Sequence, residues 1–247
     1  MLLKRRVELR EHERLDDLIK SGRQIIQNET EFCFSLDAVL LAHFPRFRSQ
    51  MRVLDLGTGT GVMPLLMVDE VAHVDGVEIS PIMAELAERN VWLNGLEEKI
   101  TMREGDYRSI RTLYPPESFD LVLANPPYRP VAHGTVSALA GVARARHEVT
   151  AALADVVRAA RYALRFHGHF AMVHLPERLG EILVALHENQ MEAKRLQFVQ
   201  PRAGRAPNMM LIEAVVGANP GGLRVLPPLI VHAADGGYTE AVLEYYR

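Results

Sequence analysis

"VLDLGTGTG", Val53 to Gly61, decides the fold. An apolar run ends at Gly57, Gly59 and Gly61, and a second apolar stretch, "VMPLLMV" (Val62–Val68), follows at once. A short apolar run bounded by glycines reads as a buried strand, and the stretch behind it as a helix. Glycine in such a turn lets backbone amides approach a ligand closely. A glycine motif alone says little, but here it sits between a strand and a helix, which is the context it requires. "HVDGVEI" (His73–Ile79) is the next strand, and Glu78 stands 21 residues after Gly57. A carboxylate at the end of the second strand can accept both hydroxyls of a ribose.

Outward from this unit, strands and helices alternate. "FSLDAVLLAHF" (Phe34–Phe44) predicts an amphipathic helix entered at Ser35. Ser80-Pro81 supplies an N-cap and a first-turn proline for a helix reaching Asn94-Gly95. "KITMRE" and "SFDLVLA" (Ser118–Ala124) are strands, and "EVTAALADVVRAARYAL" is a helix that leads through Gly168 to the strand "HFAMVHL". "PERLGEILVALHE" is a helix opened by Pro176, and "KRLQFVQ" and "NMMLIEAVV" are late strands with only a loop between them. The alternation argues for a parallel sheet covered on both faces, with the last two runs paired antiparallel at one edge. Beyond Gly217 proline and glycine increase, and "LRVLPPLIVH" reads as a short β extension. The organisation expected is one domain over 1–247, with an N-terminal extension (1–50), a core (51–217) and a C-terminal β extension (218–247).

Composition limits the function classes. The chain has 247 residues, 48% hydrophobic and 24% charged, which is ordinary for a globular protein. No apolar run approaches the roughly 18 residues of a membrane helix, so no membrane association is expected. The N-terminal "MLLKRRVELREHERLDD" has no apolar stretch behind its basic residues. One cysteine, Cys33, excludes internal disulfides and fits a reducing, cytoplasmic setting. The ten histidines are scattered without ligand spacing, and no metal is expected. A formal net charge of −3 does not advertise a nucleic-acid binder. Basic clusters at Lys4-Arg5-Arg6, Arg144/Arg146/His147, Lys194-Arg195 and Arg202/Arg205 read first as solvated surface.

The glycine spacing selects the cofactor. Dinucleotide loops want glycines at relative positions 1, 3 and 6, and the sixth position here is Val62. Positions 1, 3 and 5 preceded by Asp55 resemble the S-adenosylmethionine loop of class I methyltransferases. The resemblance implies S-adenosyl-L-methionine as cofactor, with Asp55 facing its ammonium, Glu78 its ribose and Asp106 its adenine amine. The cofactor set it implies is Asp55, Gly57, Thr58, Gly59, Gly61, Glu78, Ile79, Asp106, Tyr107 and Asn125. Ser35 and Asp37 would cover the methionine end, although a helix cap accounts for them as well.

"VLANPPYRP" (Val122–Pro130) then gains meaning. Two prolines must end the strand, and they do so at the edge of an open α/β sheet where ligands collect. Asn-Pro-Pro-Tyr resembles the clamp of amino-methyltransferases acting on adenine N6, cytosine N4, guanine N2 or glutamine N5. The lone pair of such a nitrogen is delocalised. Hydrogen bonds to the Asn125 side-chain oxygen and the Pro126 carbonyl favour a pyramidal nitrogen aimed at the methyl group, and Tyr128 offers a face for stacking. Catalytic residues are therefore expected at Asn125, Pro126 and Tyr128.

Three longer segments, "QNETEFCFSLDAVLLAHF", "RARHEVTAALADVVRAA" and "PRAGRAPNMMLIEAV", extend the resemblance to nearly the whole chain from about Arg14. Together they resemble the bacterial tRNA(Val) adenine-N6 methyltransferase family. That implies a Rossmann-like class I α/β fold, with a mostly parallel seven-stranded sheet and one antiparallel edge strand. It also implies a tRNA anticodon loop as substrate, already unpaired and so needing little flipping. Pro127, Arg144, Arg146, His147, Arg202 and Arg205 are the expected substrate contacts. The alternatives are a glutamine-N5 protein methyltransferase, a DNA adenine methyltransferase and a non-catalytic cofactor-binding module. The stretch before Met51 is short for the helical domain that release-factor enzymes carry, no target-recognition domain for DNA is visible, and a mere binder has no use for an amine clamp.

Overall fold

A computed structural model describes residues 5–18, 22–31, 33–126 and 153–246. Strands β1 (Glu13–Leu18) and β2 (Arg23–Asn28) form an antiparallel hairpin. There follow α1 (Leu36–His43), β3 (Arg52–Leu56), α2 (Val62–Met67), β4 (His73–Glu78), α3 (Pro81–Leu93) and β5 (Ile100–Glu104). A 3-10 turn at Tyr107–Ser109 leads into α4 (Ile110–Leu113) and β6 (Phe119–Ala124). Then come α5 (Leu153–Ala163), β7 (Leu164–His174), α6 (Leu179–Glu188), β8 (Met191–Arg202), β9 (Met209–Val216), β10 (Arg224–His232) and α7 (Glu240–Leu243).

Among the described residues the main sheet has the order β10-β8-β9-β7-β6-β3-β4-β5. Strands β7, β6, β3, β4 and β5 are mutually parallel, and β9 runs antiparallel to both β7 and β8. Alternation divides the core between two faces. Val53, Leu121 and Leu123 join one apolar cluster with Leu40 and Leu65, whereas Leu54, Leu56, Val122 and Ala124 join another with Val157 and Phe170. Burial on both faces is why β3 and β6 read as continuous apolar runs rather than as alternating ones.

The mostly parallel, doubly covered sheet is the expected fold class, with three differences of detail. The sheet has eight strands rather than seven, because the proline-containing "LRVLPPLIVH" run joins it as β10, parallel to β8. Its two prolines fall in the register shift between Leu226 and Leu229, on an outer strand that tolerates missing donors. The antiparallel strand, β9, lies inside the sheet and not at its edge, because it pairs with both β7 and β8. The N-terminal segment also carries the β1–β2 hairpin. The charged, half-exposed residues of β1 hide its alternation.

Local boundaries follow the expected signals with small departures. The Ser80 hydroxyl accepts the Met83 N–H at 3.5 Å, Pro81 opens α3, and Gly95 takes φ +65° after its end. Ser35 precedes α1 without a side-chain cap, its hydroxyl being turned to Asp37, whose carboxylate accepts the Ala38 N–H at 2.9 Å. β7 begins directly at Leu164, four residues before Gly168, so no glycine separates α5 from β7. Pro176 opens a 3-10 turn, and the α-helix starts only at Leu179.

Two asparagines tie the hairpin to α3. Asn90 accepts the Ile26 N–H at 2.6 Å and donates to the Ile26 carbonyl at 3.1 Å. Asn94 does the same at Gln24, with 3.0 Å and 2.7 Å. Four helical residues rise about 6 Å, and two strand residues rise about 6.7 Å. An i,i+4 amide pair therefore stands in for a neighbouring strand along the open edge of β2. Asn90 also donates to the Thr60 carbonyl at 2.9 Å, inside the glycine loop. Asn90→Ala orphans several buried polar groups at once. It is expected to lower unfolding stability by about 2–4 kcal/mol, read from denaturant midpoints. A loss no larger than that of an exposed control such as Glu88→Ala would contradict this bridging role.

Candidate active site

The glycine loop leaves β3 on the C-terminal edge of the sheet. Gly57, Gly59 and Gly61 take φ of +74°, +57° and +81°, which L side chains rarely adopt. They differ in surroundings. Among the described residues a side chain at Gly57 would meet nothing within 4 Å. At Gly61 a Cβ would lie 2.9 Å from Met102 Cε and 3.4 Å from Ala87 Cβ. That glycine lets the loop pack against α3 and β5. The Gly57 and Thr58 amides both donate to the Val77 carbonyl, at 2.9 and 3.0 Å, which holds the loop on the end of β4.

Two carboxylates lie under and beside the loop. Asp55 is fully buried; its Oδ2 accepts the Thr58 hydroxyl at 2.7 Å, and among the described residues its Oδ1 has no partner. Burial pushes its pKa up from 3.8 to about 7, with the Thr58 bond opposing and Glu78 reinforcing. Glu78 accepts the Gly59 N–H and the Ser80 N–H, each at 2.9 Å. Burial raises its pKa as well, against backbone hydrogen bonds from Ser80, Gly59 and Ile79. Glu78 therefore ties the loop to the turn that starts α3, and half-buried Ile79 lies in that turn.

Asp106 follows β5 and opens the 3-10 turn. It accepts the Arg108 N–H at 2.8 Å and the Arg108 Nε–H at 2.7 Å. The Arg108 side chain is the main reason its pKa is lowered, so it stays ionised. Tyr107 is buried, its hydroxyl unpartnered among the described residues, and burial keeps that hydroxyl protonated.

Asn125 and Pro126 continue from β6. Register pairs Leu56 with Ala124, so Asn125 leaves the sheet alongside Gly57. Asn125 is half-buried and Pro126 buried. On the other side of β6, Ala124 pairs with Met172, and β7 ends two residues later at His174. His174 is buried, its Nδ1 accepts the Leu175 N–H at 2.8 Å, and burial and then Arg178 lower its pKa to about 4. The imidazole beside this edge is therefore neutral at neutral pH. Pro127, Tyr128, Arg144, Arg146 and His147 lie outside the described residues.

Arg202 and Arg205 reach the same edge by another route. β8 runs antiparallel to β9 and β9 antiparallel to β7, so β8 ends where β6 and β7 end. Arg202 closes β8 and Arg205 lies in the following turn, both exposed, with the Arg205 N–H on the Arg202 carbonyl at 3.1 Å. Three strand spacings, about 14 Å, separate β8 from β6. Sequence reading missed Asn90, which holds the loop from beneath, and Arg108, which holds Asp106. The signal for the first was present: asparagines four apart on an otherwise apolar helix face in "AERNVWLNG".

These residues fit S-adenosylmethionine by their chemistry. A buried carboxylate oxygen without a partner suits a cation, a carboxylate anchored by amides suits a diol, and among the described residues the backbone at Gly57 leaves space for both.

The sequence profile described as "Methyltransferase domain" matches residues 47–209. A tRNA1(Val) (adenine(37)-N6)-methyltransferase of Tolumonas auensis is 32% identical over 180 residues, covering 71% of this chain and 73% of that protein. One of the same name from Porphyromonas gingivalis is 30% identical over 207 residues, covering 78% and 76%. The crystal structure of a predicted O-methyltransferase, protein Atu636 from Agrobacterium tumefaciens, superposes with a TM-score of 0.69 at 24% identity. It covers 85% of this chain and 95% of that one, and shares the fold.

Asp55 makes a pH-dependent prediction. Its folded pKa lies above the unfolded value, so its ionisation destabilises the cofactor-free protein progressively as pH rises from 3.8 to about 7. Asp55→Asn removes that titration. The variant should gain thermal stability relative to the parent across this window, then hold a constant margin, while binding S-adenosylmethionine at least about tenfold more weakly. Melting curves between about pH 5 and about pH 8, with calorimetric titration of the cofactor, read both effects. A margin independent of pH would refute the assignment.

Proposed function

The chain belongs to the tRNA1(Val) (adenine(37)-N6)-methyltransferase family, and from that premise we propose that it methylates N6 of an adenine in a tRNA anticodon loop. The protein is an S-adenosylmethionine-dependent methyltransferase. The names of its relatives support the choice of substrate. The observation that carries the reading is the register of β3 with β6, which puts Asn125 and Pro126 beside the glycine loop.

In this reading Asp55 accepts the cofactor's ammonium, Glu78 its ribose hydroxyls and Asp106 the exocyclic amine of its adenine. Gly57, Thr58, Gly59, Ile79 and Tyr107 shape the rest of the cradle, and Gly61 keeps the loop seated on α3. When bound, the cofactor supplies a methyl group on a positively charged sulfur. Asn125 Oδ1 and the Pro126 carbonyl accept the two N6 hydrogens of the target adenine. The acceptor carbonyl sits on a residue whose φ is fixed by its ring. Held this way, the nitrogen's lone pair points along the transfer direction, and the rate gain comes from positioning and charge complementarity. A proton leaves the methylated amine afterwards, so no strong base is required. Tyr128 and Pro127 complete the pocket, and Arg144, Arg146, His147, Arg202 and Arg205 contact the RNA.

The first experiment is transfer of labelled methyl into unmodified tRNA, with release factor protein in a parallel reaction. Label recovered as N6-methyladenosine is the expected result; label in protein glutamine would replace the substrate. Asn125→Ala should cut kcat at least about 100-fold and weaken cofactor binding by far less, because Asn125 only borders the cofactor that the other cradle residues hold. Equal loss of cofactor binding and transfer would remove Asn125 from the amine clamp.

A further inference from the structure

The C-terminal edge of the sheet carries a second cluster that neither the glycine loop nor Asn125 uses. β10 runs parallel to β8, with His232 opposite Arg202, so it ends on the edge where the candidate site opens. The chain then turns and comes back along itself. Tyr238 bridges to His232, and the Thr239 N–H donates to the Val231 carbonyl at 2.9 Å. The return stacks three rings. His232 and Tyr238 lie 5.3 Å apart at 23°, and Tyr238 and Tyr246 lie 5.9 Å apart at 6°. Parallel rings at that separation overlap only in part, and Tyr238 remains 40% exposed.

The other strongly exposed aromatics among the described residues are placed differently. Trp92 lies under the Arg5 guanidinium, and Phe166 belongs to the opposite end of β7. Among the described residues Tyr238 alone of these exposed aromatics lies on the edge of the site. Arg202, the β8 partner of His232, and Arg205 in the turn that follows share this edge and form no ion pair among the described residues. Their turn is held open by Gly204 at φ +74°. Both guanidinium groups are exposed on β8 and its turn, while the return itself carries the exposed carboxylates Asp235, Glu240 and Glu244. Exposed guanidinium groups and an exposed ring stack along one sheet edge suit one class of ligand, an unpaired stretch of RNA, with phosphates on the arginines and a base on the rings.

We infer that Tyr238, backed by His232 and Tyr246, is a stacking platform for an unpaired RNA base, and that Arg202 and Arg205 hold phosphates of the same RNA along this edge. The inference rests on the RNA reading above and deepens it. β10 lies four strand positions from β6, about 19 Å away. The base on Tyr238 is therefore not the methylated adenine but a more distant part of the same RNA. Such a second contact orients the RNA across the sheet edge and selects substrates by shape as well as by the target base.

Tyr238→Leu keeps apolar bulk and removes the ring, whereas Tyr238→Phe keeps the ring. Both should be compared with the parent for binding of unmodified tRNA, for KM and kcat of methyl transfer, for cofactor affinity and for melting temperature. The expected result is a rise in Kd and KM for tRNA of about tenfold in the leucine variant, with cofactor affinity retained and the phenylalanine variant close to the parent. Parental RNA affinity in the leucine variant, with methylation intact, would overturn the platform and leave the proposed function standing. Loss of melting temperature and cofactor affinity along with RNA affinity would make Tyr238 a packing residue only, overturning it too. A parent protein that neither binds nor methylates RNA would remove both readings together.

Discussion

Everything at the candidate site depends on the parallel pairing of β3 with β6 in a sheet buried on both faces. Leu54 and Leu56 of β3 and Val122 and Ala124 of β6 fill one apolar cluster, while Val53, Leu121 and Leu123 fill the other. A slip of one residue would turn each set to the wrong face, so the core fixes which residues leave the sheet together. Those residues are Gly57 and Asn125. The chain runs from β3 outward through β4 to β5, and from β6 the other way to β7. The crevice between β3 and β6 is thus the switch point where open α/β sheets bind ligands.

The cradle built on that crevice is under electrostatic tension. Asp55 and Glu78 are two carboxylates held close together, both with raised pKa values because burial disfavours their charge. Glu78 is anchored by backbone amides, while Asp55 keeps a buried oxygen without a partner among the described residues. A fold optimised only for stability would not retain such a group. Its retention makes sense where a cationic ligand supplies the missing partner. The stiffness needed for this comes from outside the loop. Asn90 links Thr60 to β2 and α3, and the Val77 carbonyl receives two loop amides.

The C-terminal addition solves a different problem. An outer strand presents unpaired backbone groups that invite further pairing. β10 meets this with Pro227 and Pro228 inside its register shift. The same strand carries the chain to the edge of the site, where His232, Tyr238 and Tyr246 stack. One element therefore limits the sheet and extends the surface around the candidate site.

Sequence alone was sufficient for the parts that rest on local rules. The strand–glycine–helix unit at Val53–Gly61, the Ser80-Pro81 helix start and the proline stop after Asn125 are each short-range consequences of backbone geometry and period. The residue types at Asp55, Glu78 and Asn125 already pointed to methyl transfer. What tertiary structure decided were the non-local matters. β9 lies inside the sheet because it pairs with β7 on one side and β8 on the other, a choice made by long-range hydrogen bonding that no local pattern encodes. The β1–β2 hairpin is held by Asn90 and Asn94, whose amides acquire meaning only when a strand edge lies against them. Likewise Asp55 Oδ1 lacks a partner among the described residues, and Arg202 shares an edge with Asn125, only because packing excludes water from the first and strand direction places the second.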